Sequence, residues 1–325
     1  MRSKIIGMIL DNEKDFMSGE EISKKLGISR SAVWKHIKAL KEEGYDIESV
    51  NKKGYRLKEK PMDLLSSQNI NHELKTKFIG KNIIHFETID STNTYSKSIA
   101  MKEPEGTVVI SEEQTKGRGR LGRIWDSKAH EGIWMSIILK PDILPYKSTF
   151  LTIIAGASIA KALNDLGIKV GIKWPNDIIL NGKKLCGILT ELSAEIERIN
   201  YIVLGIGMNV KNKDFPSDIE NIATSLYKEG YEISRVDIVR YILCELEKNY
   251  IRYIVDGDKK SIIDIYKKYS VVLNKNIYII KNEEKELVNC IDINLDGNLI
   301  VKRSDGSIDE IISGEVSVRG ENGYV

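Results

Sequence analysis

The stretch Thr115-Lys-Gly-Arg-Gly-Arg-Leu-Gly-Arg-Ile-Trp125 carries four cations and three glycines within nine residues, and an apolar, strand-like segment follows it. Because glycine has no Cβ, its backbone N–H groups can turn toward a ligand, and arginine side chains match phosphate oxygens. The composition predicts a loop that closes over a phosphate-bearing molecule. Taken alone, the same residues could instead form a solvated basic loop. The motifs elsewhere in the chain decide between the two.

Four more motifs lie where predicted strands begin or end, and each also has an ordinary structural explanation. Asp90-Ser-Thr-Asn93 is typical of a helix N-cap after a strand, and Lys173-Trp-Pro-Asn-Asp177 contains a turn. The lysines of Lys183-Lys-Leu-Cys-Gly-Ile-Leu-Thr-Glu191 follow Asn181-Gly182 and could be solvated residues of a hairpin. The glycines of Gly205-Ile-Gly-Met-Asn209 could only relieve crowding within a strand. The meaning of these motifs depends on their order together with residues 115–125, called the Gly/Arg loop below.

Residues 1–58 predict a winged helix-turn-helix. An apolar stripe marks the first helix, at Ile5, Ile6, Ile9 and Leu10. The capping box Ser18-Gly-Glu-Glu21 opens a second helix, and Gly27 ends it. Ser29 then caps a third helix that runs to about Glu43. The short turn between the second and third helices is typical of a helix-turn-helix.

The third helix and the hairpin after it have the pattern of a DNA-binding surface. The helix has a small, cationic face opposite an apolar face made by Val33, Ile37 and Leu40. The strands Tyr45–Val50 and Tyr55–Leu57 form a wing whose basic tip, Asn51-Lys-Lys-Gly54, could follow a phosphate backbone or a minor groove. The residues predicted to contact DNA are Ser29, Arg30, Ser31, Trp34, Lys35, Lys38, Lys52 and Lys53. The alternative is a small helical packing module with solvated lysines.

The charge distribution also favours the N-terminal piece as the nucleic-acid reader. The 325 residues have a net charge of +2, but residues 1–60 carry 14 Lys and Arg against 10 Asp and Glu, hence +4. The other residues carry 35 Lys and Arg against 37 Asp and Glu, hence −2.

The cysteines lack the spacing of a disulfide framework or a zinc site. With no apolar stretch near the ~18 residues of a membrane span and no cleavage-site pattern, the sequence predicts a cytoplasmic protein.

Pro61 marks the predicted end of this domain. Residues 61–270 mix strands and helices, which predicts an α+β domain with one mixed sheet. Its predicted strands are Ile83–Ile89, Val108–Ser111, Ile133–Lys140, Val170–Trp174, Leu185–Glu191 and Tyr201–Val210. Its predicted helices are Ser91–Met101, Thr149–Leu166 and Arg235–Val255. Residues 271–325 predict a small all-β barrel, with hairpin turns at Asp296-Gly297 and Asp305-Gly306.

The combination GRGRxGRxW, KWPND and GKKLCGIL, in this order and spacing, closely resembles the biotin protein ligase family. With the winged helix added, the chain resembles the bifunctional members of that family, which also repress a biotin operon. The resemblance covers essentially the whole chain, including the strand Gly314-Glu-Val-Ser-Val-Arg319. It implies a catalytic domain of the biotin/lipoate ligase type and a C-terminal SH3-like barrel. It also implies that biotin and ATP form biotinyl-5′-AMP, from which biotin passes to a lysine of a biotin carboxyl carrier protein.

The resemblance further implies roles for individual residues. Biotin binding is implied for Ser91, Thr92, Asn93, Gln114, Arg118, Gly119, Arg120, Lys184, Gly187, Gly205 and Gly207. Binding of ATP or the adenylate is implied for Gly117, Arg123, Trp125, Asn176, Asp177, Asn209, Ala223, Leu226, Glu315 and Arg319. The implied catalytic residues are Arg118, Arg120, Lys173 and Lys184. Asp177 is the candidate ligand of Mg²⁺.

Local chemistry agrees with these roles. Neutral hydrogen-bonding side chains suit the neutral urea ring of biotin, and a lysine such as Lys184 supplies a compact point charge for phosphoryl oxygens. The segment Lys211–Ser225 is expected to order on binding and to cover the adenine, although its only aromatic residue is Phe215. Cys186, at a position that is often alanine in the family, is expected to be a small buried residue. The resemblance also implies a homodimer that forms when the adenylate is bound.

Three alternatives stay open on sequence alone. A transcription factor could sense an acyl-nucleotide without catalysis, but Lys184 and Arg118 would then be unnecessary. A lipoate–protein ligase shares the central fold, but GRGRLGRIW and KWPND favour biotin. The third alternative is a ligase whose winged helix no longer binds DNA. The cationic face of the third helix, with Lys35 and Lys38, argues against it.

Overall fold

The computed structural model describes residues 1–10, 12, 15–42, 45–58, 63–281, 284–312, 317–320 and 324. The chain divides into two compact units, Met1–Leu74 and Lys75–Val325. The predicted boundary at Pro61 falls outside the described residues, and the predicted division into 1–60, 61–270 and 271–325 stays a prediction. Within the described part of the chain, no helix combines the length and apolarity that crossing a membrane requires.

The first unit has the predicted helix-turn-helix and wing. Its elements are α1 (Arg2–Leu10), α2 (Gly19–Leu26), α3 (Arg30–Glu42), β1 (Ile47–Val50), β2 (Gly54–Leu57) and α4 (Ser67–His72). The predicted caps are present: Ser18 Oγ accepts the Glu21 N–H, and Gly27 ends α2 in the left-handed conformation at φ 66°. Ser29 Oγ accepts the Ala32 N–H at the start of α3.

The core of the first unit comes from the predicted apolar stripes. Its buried members include Ile5, Ile6, Ile9, Ile22, Val33, Ile37, Leu40 and Tyr45. The helix α4 was not predicted. Two contacts of the Tyr45 hydroxyl anchor it: the hydroxyl lies 2.7 Å from Ser66 Oγ and donates a hydrogen bond to Asn69 Oδ1 at 3.0 Å.

The second unit is built on one mixed sheet, as predicted, and this sheet has seven strands. Its strands are β3 (Ile83–Ile89), β4 (Val108–Gln114), β5 (Gly132–Leu139), β6 (Gly171–Lys173), β7 (Asp177–Leu180), β8 (Lys183–Ala194) and β9 (Ile199–Asn209). They lie in the order β3-β4-β5-β9-β8-β7-β6, where β3 and β4 are parallel and the other pairs are antiparallel. Every residue of β5, an interior strand of the sheet, is buried.

Helices cover this sheet. They are α5 (Thr92–Ile99), α6 (Phe150–Asp165), α7 (Arg235–Ile254) and α8 (Lys259–Tyr269). Two elements are additions to the prediction. The strand β7 pairs with β8 through a tight turn at Asn181 and Gly182, both at positive φ. The helix α8 is rich in lysine and buries only Ile262, Ile263 and Tyr266. Its apolar stripe is therefore too short to mark it clearly in the sequence.

The C-terminal strands form a five-stranded antiparallel sheet, consistent with the predicted small barrel. They are β10 (Lys275–Lys281), β11 (Glu284–Ile293), β12 (Leu299–Lys302), β13 (Ile308–Ile311) and β14 (Ser317–Gly320), in the order β13-β12-β11-β10-β14. The predicted turns hold Gly297 and Gly306 in the left-handed region. Trp174 Nε1 donates to the Gly297 carbonyl at 2.8 Å, so the KWPND segment contacts this sheet directly.

Candidate active site

The predicted motifs meet around one cavity of about 210 Å³ in the second unit. The predicted site residues that line it are Ser91, Thr92, Asn93, Gln114, Arg118, Gly119, Arg120, Arg123, Trp125, Lys173, Asn176, Asp177, Lys184, Gly187, Gly205, Gly207, Asn209, Ala223 and Arg319. Gly117 and Leu226 were also predicted but lie outside this lining. Glu315 is not among the described residues.

One end of the cavity is polar and neutral. At the start of α5, both the backbone N–H and the hydroxyl of Thr92 donate to Gln114 Oε1, at 2.9 and 3.0 Å. Gln114 Nε2 donates to Ser127 Oγ at 2.9 Å, which fixes the orientation of the amide. Ser91 also caps α5 by accepting the Thr94 N–H, so its ordinary capping role and its place in the cavity wall coexist.

Glycines on the two central strands let side chains approach the sheet closely. A Cβ on Gly205 would lie 2.2 Å from Asn93 Oδ1, and a Cβ on Gly207 would lie 2.7 Å from the Trp125 ring. A Cβ on Gly187, in β8, would lie 2.9 Å from the same ring. These glycines are therefore required by close contacts that the site makes, and not only by crowding within a strand.

The Gly/Arg loop folds as a short hairpin over the cavity. The Gly119 N–H donates to the Arg123 carbonyl at 2.8 Å, and the Trp125 N–H donates to the Gly117 carbonyl at 2.9 Å. Leu121 at the tip adopts a left-handed φ of 55°. Arg120 Nη1 donates to Asn176 Oδ1 at 2.8 Å, so the loop is tied to the KWPND segment.

The other end of the cavity is strongly cationic around one buried carboxylate. Lys184 Nζ lies 2.7 Å from Asp177 Oδ1, and the Tyr324 hydroxyl donates to Asp177 Oδ2 at 2.6 Å. Burial alone would raise the pKa of Asp177, but Lys184, Tyr324 and Lys173 outweigh it and lower that pKa. Arg319 lies over the Tyr324 ring, 5.3 Å from its centroid. Asp177 is therefore ionised and surrounded by positive charge.

Lys173 is the most perturbed cation of the site. It is 2% exposed, its Nζ lies 3.4 Å from the centroid of the Tyr324 ring, and this Nζ has no hydrogen-bond acceptor among the described residues. Burial lowers its pKa to about 7, and the repulsion of Arg319, Lys184 and Arg123 adds to this. A buried ammonium without an acceptor inside a cavity is what an anionic ligand would satisfy.

The predicted covering segment lies along the start of β8 and is hydrogen-bonded to it. The Lys184 N–H donates to the Ile222 carbonyl at 2.7 Å, and the Thr224 N–H donates to the Lys184 carbonyl at 2.9 Å. Asn209 Nδ2 donates to the Thr224 carbonyl at 3.1 Å. Phe215, Ile219, Ile222 and Ala223 add apolar surface to the cavity wall. This part of the cavity wall therefore consists of aliphatic side chains and one aromatic ring.

Sequence reasoning missed Tyr324. Nothing in the local pattern near the C-terminus marks it, because its role arises from a contact with Asp177 across 147 positions of the chain. Cys186, next to the site, is fully buried as expected, and burial raises the pKa of its thiol.

The predicted DNA-contacting residues are all exposed on the first unit. Trp34 is 56% exposed, an unusual degree for the largest apolar side chain, and it lies on the same helix as the exposed Lys35 and Lys38. Lys52 and Lys53 lie in the turn between β1 and β2. Arg30 forms an ion pair with Glu20, so its charge is partly compensated.

Comparisons with known proteins agree with this arrangement. A model of the biotin/lipoate A/B protein ligase family matches residues 85–209, and a model of an HTH domain matches residues 2–56. The bifunctional ligase/repressor BirA of Bacillus subtilis (strain 168) is 43% identical over 262 residues, covering 79% of this chain and 80% of that protein. BirA of Escherichia coli (strain K12) is 30% identical over 318 residues, covering 97% and 96%.

A solved structure extends the likeness to the fold. Biotin protein ligase from Aquifex aeolicus in complex with biotin and ATP superposes with a TM-score of 0.66 at 29% identity, covering 74% of this chain and 100% of that one. Sequence, fold and the two family models agree: the chain belongs to the biotin protein ligase family, among its bifunctional ligase/repressors.

Proposed function

We propose that this protein joins biotin to ATP, forming biotinyl-5′-AMP and pyrophosphate, and then transfers biotin to one lysine of a biotin carboxyl carrier protein. The observation that carries the proposal is the division of one cavity into a neutral polar end and a cationic end. The neutral end, with Thr92 and Gln114, suits the urea ring of biotin, and the cationic end suits phosphates. The alternative is a regulator that senses the adenylate without catalysis.

In the first step a carboxylate oxygen of biotin attacks the α-phosphorus of ATP, and the bond to the departing pyrophosphate breaks. Negative charge builds on the phosphoryl oxygens and the leaving group. Lys184, Arg118 and Arg120 would stabilise this charge at the junction of the two ends, while Lys173 and Arg319 would hold the leaving group. All five line the same cavity.

In the second step the neutral amine of the acceptor lysine attacks the biotinyl carbonyl, AMP leaves with the electrons of the carbon–oxygen bond, and the nitrogen releases one proton to solvent. The intermediate is a mixed anhydride that water would hydrolyse. The Gly/Arg loop, tied down by Arg120, and the segment 215–223 would exclude water until the acceptor arrives. We also propose that the reaction takes place in the cytoplasm, in keeping with three free cysteines.

Mg²⁺ would accompany ATP. It usually binds through one or two carboxylates together with phosphates and water, and a single carboxylate beside the phosphate end fits this pattern. Asp177 would be that carboxylate, and the described residues contain no cluster of three or more acidic, His or Cys ligands. Bound there, the ion would neutralise phosphate charge.

The test of the adenylation step is exchange of labelled pyrophosphate into ATP. We expect exchange that depends on added biotin, since reversal of the first step requires biotinyl-5′-AMP. Tight binding of synthetic biotinyl-5′-AMP without any biotin-dependent exchange would instead support the sensor.

Nucleotide binding should be accompanied by proton uptake above neutral pH. The pKa of Lys173 is about 7 in the free protein, so its ammonium loses a proton as the pH rises through 7. A phosphate beside it would raise that pKa, and binding at pH 8 should therefore take up a proton, whereas binding at pH 6 should not. Calorimetry of ATP binding in two buffers of different ionisation enthalpy measures this uptake. Equal uptake by Lys173→Met would show that another group titrates.

We further propose that the protein, loaded with the adenylate, forms a homodimer that binds a two-fold operator and represses transcription. A dimer would present two copies of α3 and of the wing, and binding linked to the adenylate would follow from ordering of the loops. The exposed basic residues of α3 and the wing support DNA binding. The position of β3 at one end of the seven-stranded sheet offers a strand edge for pairing between copies.

Removing the charges of the wing should weaken DNA binding uniformly across sequences. Each lysine that contacts a phosphate releases about one counterion, so Lys52→Ala with Lys53→Ala should reduce the slope of log affinity against log salt by about 2. The measurement is a salt titration with operator-containing DNA and with a duplex of random sequence. Lys4→Ala, an exposed lysine on α1, is the control and should leave the slope unchanged. An unchanged slope in the double variant would remove the wing from the interface.

A further inference from the structure

A carboxylate that the proposed chemistry does not use lies beneath the neutral end of the cavity. Glu191, on β8, accepts a hydrogen bond from Asn93 Nδ2 at 2.9 Å through Oε2. Its other oxygen, Oε1, lies 2.7 Å from Lys97 Nζ. Asn93 and Lys97 are one helical turn apart on α5, so both reach the same carboxylate from one helix face. Glu191 thus joins the sheet to the helix that carries a cavity-lining amide.

The orientation of that amide depends on what surrounds it. Asn93 Oδ1 lies 2.6 Å from Ser136 Oγ, on the side where a Cβ at Gly205 would come within 2.2 Å. A serine hydroxyl can donate or accept, and glycine imposes no preference, so neither decides which end of the amide faces it. An ionised carboxylate only accepts hydrogen bonds, and it therefore holds Nδ2 toward itself and Oδ1 toward Ser136.

The charges around Glu191 keep it an acceptor. Burial alone would raise its pKa, but Lys97, Asn93 and Arg118 together lower it. Lys97 balances the charge locally, and Arg118 of the Gly/Arg loop is attracted to the same carboxylate.

We propose that Glu191 is a positioning residue for biotin, which acts through Asn93 by fixing the direction of its amide. This inference rests on the proposed binding of biotin at the neutral end. Glutamine cannot replace Glu191: with its oxygen toward Asn93, its amide N–H₂ faces the Lys97 ammonium, and with the reverse orientation two amide donors face each other.

The test measures binding directly, so that it does not depend on catalysis. Calorimetric dissociation constants for biotin and for ATP are compared in wild type, Glu191→Gln, Asn93→Ala and the double variant. We expect Glu191→Gln to weaken biotin binding about tenfold, as the loss of one charge-assisted hydrogen bond implies, with ATP binding within about twofold. When Asn93 is already replaced by alanine, adding Glu191→Gln should weaken biotin binding little further. The exposed Glu195→Gln is the control and should bind both ligands normally.

Equal weakening of biotin and ATP binding by Glu191→Gln would overturn the proposal, and so would a full additional loss of biotin affinity when Glu191→Gln is added to Asn93→Ala. Because Glu191→Gln leaves Lys97 without its partner, Glu191→Gln with Lys97→Met serves as a second variant without that charge. This double variant should keep the melting temperature of the wild type and still bind biotin weakly. Normal biotin binding by the double variant would also overturn the proposal. If the wild type binds biotin but shows no biotin-dependent pyrophosphate exchange, the proposed ligase activity is wrong. The role of Glu191 in biotin binding is then still tested by the dissociation constants alone.

Discussion

Replacing Lys184 with methionine should slow biotin-dependent pyrophosphate exchange by about 100- to 1000-fold, the usual effect of removing one preorganised donor to a developing charge. Lys184 Nζ lies over the Trp125 ring, 5.3 Å from its centroid, and forms an ion pair with Asp177 inside the cavity. Methionine keeps most of the length of the side chain and removes its charge and its three N–H donors. The loss should appear mainly in kcat, because the charge that Lys184 meets develops in the transition state.

The neighbouring lysine provides a matched control for this variant. Lys183 begins the same strand but does not line the cavity, so Lys183→Met should exchange pyrophosphate at the wild-type rate. Lys184→Met also leaves Asp177 without its nearest cation, and a thermal melt of each variant therefore accompanies the kinetics. A folded Lys184→Met protein that exchanges within about threefold of wild type would remove Lys184 from the chemistry.

The Arg120→Gly variant should release its intermediate and label bystander proteins. The guanidinium of Arg120 donates to Asn176 at 2.8 Å, and its burial lowers the pKa of the group, so it is a largely desolvated tether of the Gly/Arg loop. Loss of one such charge-assisted hydrogen bond should raise the rate of adenylate escape by about 10- to 100-fold. Free biotinyl-5′-AMP then acylates any accessible lysine.

The assay for adenylate escape incubates enzyme, biotin and Mg-ATP with a protein that is not a carrier, and detects biotin on that protein. Lys116→Gly changes an exposed residue of the same loop outside the cavity lining, and it should label the bystander no more than wild type does. If Arg120→Gly biotinylates the carrier alone, the loop does not retain the intermediate.

Local sequence signals identified most of the fold and most of the residues that line the cavity. Ser18, Gly27 and Ser29 cap helices as predicted, because capping depends on residues only a few positions apart. The motif around Lys184 was ambiguous between a hairpin and a site, and it is both: Asn181 and Gly182 make the turn, and Lys184 reaches the cavity.

The parts that sequence did not reveal depend on contacts between distant positions. Asn93 and Glu191 are separated by 98 positions, and Asp177 and Tyr324 by 147. Neither pair has a periodicity or spacing that a single sequence could display. The short helix α4 was missed for a related reason, because it is anchored by the buried Tyr45, more than twenty positions earlier in the same unit, and has no apolar stripe of its own.

The central claim is that one cavity makes the adenylate and passes its biotin to a single lysine. The most direct measurement incubates the purified protein with biotin, Mg-ATP and a biotin carboxyl carrier domain, and reads the intact mass of the carrier. We predict the addition of one biotinyl group, which Arg118→Ala and Lys184→Ala abolish. A carrier of unchanged mass, while biotinyl-5′-AMP stays bound to the protein, would contradict the claim and leave a sensor of the adenylate.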